Sequence, residues 1–140
     1  MHSDSVDNFK QLVENYQPLI LIVDNDRDNL FFASCIIESM GMRYIVIDDS
    51  EECLKTVHKL LPDIILLDVV MPKVSGIEIA KIIKQNSKIS HISIIAVTGL
   101  TRDQDKIKLI EAGFNDYICK PYLIEELESK VYNNLKCFLV

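Results

Sequence analysis

The 140-residue chain has no tryptophan and only four glycines, four prolines and four cysteines. So little glycine and proline excludes collagen-like, linker and low-complexity classes, which are built on those residues. The cysteines are too scattered for a disulfide scaffold. Cys35, Cys53, Cys119 and Cys137 form no C-x-x-C pair, and each sits in an apolar stretch, which predicts buried reduced thiols rather than a metal or redox site. No apolar run approaches the roughly 18 residues of a membrane helix. The start, MHSDSVDNFK, lacks the charged and apolar segments of a secretory signal. Positive charge is also short: 15 Lys+Arg stand against 21 Asp+Glu, a net charge of -6. A surface of that sign does not track nucleic-acid phosphates. These absences predict a soluble cytoplasmic protein that binds neither nucleic acid nor membrane.

What is present is the material of one folded domain, with 49% hydrophobic and 26% charged residues. Four short apolar runs stand out, Leu19–Val23, Tyr44–Ile47, Ile64–Leu67 and Ile92–Val97, with a weaker one at Tyr117–Cys119. Three are continuous rather than alternating, as parallel strands are when helices cover both faces of their sheet. Between the runs, apolar residues recur at helical spacing: Leu30, Ala33, Ile36, Ile37 and Met40, then Leu54, Val57, Leu60 and Leu61. The segments Ile79–Ile83, Ile107–Ile110 and Ile124–Val131 behave the same way. Asp49 and Glu52 have capping-box spacing, and Gly41 and Gly113 stand where helices end.

The resulting order is βαβαβαβαβα. Right-handed crossovers turn it into an α/β fold, a doubly wound sheet of five parallel strands. Residues 1–17 differ, because Val6, Phe9, Leu12, Val13 and Tyr16 line one face of a short helix. The expectation is an N-terminal helical extension at 1–17 packed on a domain at 18–140. A homodimer or partner contact is the competing use of that extension.

In a doubly wound sheet, ligands bind beyond the carboxyl ends of the strands. Strand one ends in Val23-Asp24-Asn25-Asp26, strand three in Leu67-Asp68-Val69-Val70, strand four in Val97-Thr98-Gly99 and strand five in Tyr117-Ile118-Cys119-Lys120-Pro121. Two carboxylates, a hydroxyl and an ammonium therefore converge on one rim. Asp24 and Asp68 repel each other there unless a cation such as Mg2+ lies between them. Lys120 and Thr98 suit a phosphoryl group, whose charge is spread over three oxygens, and a carboxylate can be the attacking nucleophile. Gly99 leaves room for that group.

Four segments carry a family resemblance: LILIVDND at 19–26, PDIILLDVVMPKVSG at 62–76, AVTG at 96–99 and DYICKP at 116–121. In order and in spacing they resemble the receiver domains of two-component response regulators, over roughly residues 18–136, and in particular the single-domain chemotaxis regulators. The resemblance implies a flavodoxin-like (βα)5 fold in which Asp68 accepts a phosphoryl group from a histidine kinase or phosphotransfer protein. It implies that Asp24, Asp68 and the backbone carbonyl of Val70 hold Mg2+, that Lys120 pairs with the phosphoryl group, and that Thr98 hydrogen-bonds to it. It further implies that Thr98 and Tyr117 move together, reshaping the face of the fourth helix, fifth strand and fifth helix for a downstream protein target. Pro121 occupies the family's cis-peptide position. With no second domain after the fifth helix, the reading is a stand-alone receiver rather than an enzyme.

The chain departs from the family at Asn25, where a second metal-binding acid is usual. An amide is a weak, uncharged ligand, so Mg2+ affinity is expected to fall, and Asp26 is expected to point elsewhere. Val70 and Leu100, two residues beyond Asp68 and Thr98, cannot orient a hydrolytic water, which predicts a long-lived phosphoryl group. Two other classes compete. One is a pseudo-receiver that binds protein without phosphorylation because of Asn25. The other is a haloacid-dehalogenase-type phosphatase with Asp24 as nucleophile and Asp26 as acid, which leaves Asp68 unexplained. The stretch Asp24–Asp28 fails as an EF-hand loop, since Asn29 and Cys35 replace its glycine and glutamate. His2, His58 and His91 lack metal-ligand spacing, and Lys81, Lys84 and Lys88 read as a solvated face.

Overall fold

The computed structural model describes residues 17–99 and 102–135. Five parallel strands, β1 (Leu19–Val23), β2 (Arg43–Ile47), β3 (Ile64–Asp68), β4 (Ser93–Thr98) and β5 (Asp116–Cys119), form one sheet in the order β2-β1-β3-β4-β5. Between and after them lie α1 (Arg27–Ser39), α2 (Ser50–Leu60), α3 (Gly76–Gln85), α4 (Asp103–Ala112) and α5 (Ile124–Asn133). This is the flavodoxin-like receiver fold expected of the sequence.

Alternating side chains divide the core between the two faces of the sheet. Leu21 and Val23 of β1, Ile65 and Leu67 of β3, and Ile94 and Ala96 of β4 pack against Val57 of α2, Ile79 and Ile83 of α3, and Leu109 of α4. Ile20 and Ile22, Leu66, and Ile95 and Val97 face the other way, onto Leu30, Ile36 and Ile37 of α1 and Leu127 and Val131 of α5. Strands β3 and β4 are buried along their whole length, which is why they read as unbroken apolar runs. Burying one such Ile or Leu contributes about 1.5–3 kcal/mol, so these two strands anchor the domain. Among the described residues, strand β2 pairs only with β1, and it is half exposed.

The helix ends follow local chemistry. Asp26 caps α1, its Oδ1 accepting the N–H groups of Asp28 and Asn29 at 2.8 and 3.2 Å. Asp49 caps α2 through the Glu51 N–H at 3.0 Å, while Glu52 gives only its backbone N–H to the Asp49 carbonyl, so the reciprocal capping box is not made. Helix α4 ends at Gly113, whose φ of 99° is left-handed.

Several expectations about individual side chains are corrected. Cys53 is buried, but Cys35 is exposed on α1 and Cys119 is half-buried; Cys137 lies outside the described residues. Leu60 and Leu61 are exposed because Cys53 and Val57 supply the inner face of α2. Ile107 and Ile110 are exposed because α4 buries Asp105, Leu109 and Ala112. Lys84 is not part of a solvated face: its Nζ donates to the carbonyls of Ser90 and Ile92 at 3.1 and 2.7 Å, tying α3 to the approach to β4. Residues 1–16 and Leu100, and the readings placed on them, lie outside the described part.

Candidate functional site

The register of the sheet creates the rim. Val23 pairs with Leu67 and Asp68 with Val97, so the residues that end β1, β3 and β4 emerge side by side. Asp24 and Asp68 are each only 5% exposed, and Thr98 is 1% exposed. Each carboxylate is held by its own backbone: Asp24 Oδ1 accepts the Asp26 N–H at 2.9 Å, and Asp68 Oδ1 accepts the Val70 N–H at 3.2 Å. Lys120, just past β5, reaches between them, with Nζ 3.4 Å from Asp24 Oδ2 and 3.4 Å from Asp68 Oδ1. Its backbone N–H donates to the Thr98 carbonyl at 2.8 Å, locking the Lys120 turn to the end of β4. The Lys120–Pro121 peptide bond is cis.

One ammonium thus serves two buried carboxylates, and the electrostatics reflect the shortage. Burial pushes the Asp68 carboxyl above its ordinary value of 3.8, and the neighbouring Asp24 pushes it further, against the pull of Lys120 and of the Val70 N–H. A hard divalent cation relieves that excess of negative charge, so the donors present suit Mg2+. The set is lean in charge, since the described residues contain no cluster of three acidic, histidine or cysteine side chains able to hold a metal.

The remaining predicted residues are placed less centrally. Asn25 is exposed and lines a groove with Asp48, Asp49, Ser50 and Lys73 rather than bonding to Asp24 or Asp68. Asp26 is committed to the α1 cap, as expected. The Val70 side chain stands 68% exposed at the rim. Tyr117 lies half-buried on β5 between two ammonium groups, Lys106 Nζ at 5.7 Å and Lys130 Nζ at 5.5 Å from its ring centroid. Such cation–π contacts contribute about 0.5–1 kcal/mol each at exposed sites. Lys130 also pairs with Asp116 at 2.8 Å.

Sequence reasoning missed four participants. Asn29 donates through Nδ2 to Asp24 Oδ2 at 3.3 Å, and only its position three residues past the α1 cap hinted at this. Tyr122 shares a cavity of about 500 Å³ with Asp24, Asn29, Phe32 and Lys120. Burial and then Asp24 push its phenol up to about 12, so it stays protonated. Ser50, at the start of α2, donates through Oγ to the Pro72 carbonyl at 2.9 Å and accepts the Val74 N–H at 3.2 Å. It thereby clamps the loop that follows Asp68. Gly76 closes that loop against the Asp68 backbone.

Comparison with known proteins agrees with this geometry. The family model described as the response regulator receiver domain matches residues 20–132. The DNA-binding response regulator MtrA of Mycolicibacterium paratuberculosis is 31% identical over 117 residues, covering 84% of this chain and 51% of that protein. The chain therefore spans about half the length of the curated relatives it matches. The BeF3-activated DrrB receiver domain, from a Thermotoga maritima response regulator, is 30% identical with a TM-score of 0.77, covering 86% of this chain and 98% of that one. The chemotaxis response regulator CheY4 of Vibrio cholerae superimposes with a TM-score of 0.81 over 85% of this chain and 99% of its own, and at 24% identity it speaks to the fold alone. A family model spanning most of the chain, on a fold whose strand ends carry Asp24, Asp68, Thr98 and Lys120, means that the chain belongs to the response regulator receiver domain family.

Proposed function

We propose that Asp68 is the phosphoacceptor of this receiver. Receiver domains are signalling modules that take a phosphoryl group on an aspartate from histidine kinases or phosphotransfer proteins, and they use Mg2+ to do so. The observation that carries the assignment here is Lys120 Nζ lying 3.4 Å from both Asp24 and Asp68 at the carboxyl ends of the strands.

In the transfer, an oxygen of the ionised Asp68 attacks the phosphorus of a phosphohistidine. The O–P bond forms as the P–N bond breaks, and the departing imidazole nitrogen keeps its electron pair. Asp24, Asp68 and the Val70 carbonyl would hold Mg2+, with Asn25 a weak fourth, and when bound it would supply positive charge to the phosphoryl oxygens. Lys120 leaves its carboxylate partners to pair with the new phosphoryl group, and the Thr98 hydroxyl hydrogen-bonds to it. Movement of Thr98 then reaches Tyr117, changing the face of α4, β5 and α5 that a protein target reads. We place this exchange in the cytoplasm. With Val70 as the apolar neighbour, no side chain of that position orients water, and the phosphoryl group decays slowly; rapid loss of label would contradict this.

The decisive experiment incubates the protein with Mg2+ and a small phosphodonor, followed by intact-mass analysis. The wild type should gain one phosphoryl group and Asp68→Asn none. Labelling of neither, with a kinase also supplied, would favour the pseudo-receiver reading, whose support is Asn25. Labelling of Asp68→Asn but not Asp24→Asn would favour the phosphatase reading, to which the comparisons lend no support.

A further inference from the structure

Helix α1 and the edge strand β2 leave an apolar groove between them that the site does not use. It has a volume of about 430 Å³ and is lined chiefly by Leu30, Phe31, Tyr44 and Val46, with Arg27 and Asp48 at one end. Phe31 is 71% exposed and Val46 44% exposed, an unusual cost for side chains of that kind so close together. Arg27, Leu30, Phe31 and Ser34 follow the i, i+3, i+4, i+7 rule, so they form one continuous stripe of α1.

The chain enters the described domain beside this groove. The Gln17 carbonyl accepts from Arg43 Nε at 2.9 Å, and the Pro18 carbonyl accepts from the Arg43 N–H at 3.0 Å. Arg43 is the first residue of β2, so Gln17, to which residue 16 is joined, lies at the end of the groove away from Arg27. Gln17 has a φ of 53°, a left-handed turn conformation. The preceding sequence has matching chemistry, with Val6, Phe9, Leu12, Val13 and Tyr16 apolar at helical spacing.

We infer that the groove between α1 and β2 is a docking surface for this chain's own residues 6–16. An eleven-residue helix is about 16 Å long, and the five residues of β2 span about the same length. A helix over 6–16 running back from Gln17 would lay Phe9 and Leu12 along the stretch formed by Tyr44 and Phe31. The occupant therefore agrees with the groove in length, polarity and point of attachment.

The protein has no tryptophan, so Phe31→Trp in the full chain is a single reporter at the groove, and Val46→Trp a second. The expected result is blue-shifted emission with several-fold weaker acrylamide quenching than in the same chain carrying Phe9→Asp and Leu12→Asp, at monomeric mass by light scattering. Unchanged far-ultraviolet circular dichroism verifies that the domain is folded in each variant. Solvent-like emission that Phe9→Asp and Leu12→Asp leave unaltered would overturn the inference. So would a shift that appears only at concentrations giving dimeric mass, since a second copy would then be the occupant.

Discussion

Gly76, the first residue of α3, lies against the backbone of Asp68: a Cβ placed on it would meet the Asp68 carbonyl oxygen, and would come within 2.9 Å of Val69 Cα. The Gly76 N–H also donates to the Val69 carbonyl at 3.0 Å. Both obstacles are backbone, which cannot yield by rotating a side chain. The glycine is therefore required by space rather than by an unusual φ, and it sets how tightly the loop returns beside Asp68.

Gly76→Ala should accordingly lose about 1–3 kcal/mol of stability, the usual cost of overpacking a tight site. Gly99→Ala is the control, since a Cβ there meets no described atom within 4 Å. Urea titration of both variants checks this. A Gly76→Ala midpoint equal to that of the wild type would show that the loop gives way.

How much of this was legible in sequence depends on range. The ends of β1, β3 and β4 could be read because continuous Ile-rich runs stop abruptly at Asp24, Asp68 and Thr98, and the weaker run of β5 stops at Lys120. Which face of α2 and of α4 turns inward could not, because Leu60 and Ile110 have the same apolarity as Val57 and Leu109 and only packing separates them. Ser50 and Asn29 were illegible for another reason: their partners, Pro72 and Val74 for one and Asp24 for the other, are set by how loops and helix ends meet in space. Lys84 looked like surface charge because its stem carries no signal that its ammonium will reach the carbonyls before β4.

Asn25 supplies the next test. The two buried acids share one ammonium, and Asn25, exposed at their edge, adds no charge to the set. Replacing Asn25 with Asp adds one carboxylate to the proposed divalent-cation site and should strengthen Mg2+ binding by about tenfold, equivalent to about 1.4 kcal/mol. Chemical-shift titration of Mg2+ against the wild type and Asn25→Asp measures this directly. Equal affinities would mean that the residue at position 25 does not reach the cation.

The cysteines differ enough to be told apart in one experiment. Burial raises the Cys53 thiol to about 12, so almost none is thiolate at neutral pH, whereas Cys35 is exposed on α1. In the folded protein at pH 8, a thiol reagent should modify Cys35 rapidly and Cys53 only at the rate of unfolding. Peptide mapping by mass spectrometry over time checks the order. Modification of Cys53 as fast as Cys35 would show that the α2 face of the core opens locally.

The raised proton affinity of Asp68 makes a prediction whose sign can be worked out. Burial first, and then Asp24, make the folded carboxyl hold its proton more strongly than it does in the unfolded chain, where 3.8 is the ordinary value. Between 3.8 and the folded value, the native state binds more protons than the unfolded one, so stability falls as pH rises through that window. Asp68→Asn cannot ionise and escapes the loss. In metal-free buffer the variant should melt above the wild type at pH 7 and lose that advantage near pH 3, where both side chains are neutral. Each kcal/mol corresponds to about 3–5 °C in a chain of this size. Adding Mg2+ should narrow the gap from the wild-type side, because a cation at the proposed site would bind the ionised Asp68 and stabilise only the form that has it. Thermal melts of the two proteins at both pH values, with and without Mg2+, separate these effects. A wild type more stable than Asp68→Asn in metal-free buffer at pH 7 would mean that Lys120 alone compensates both carboxylates, leaving no electrostatic demand for the metal.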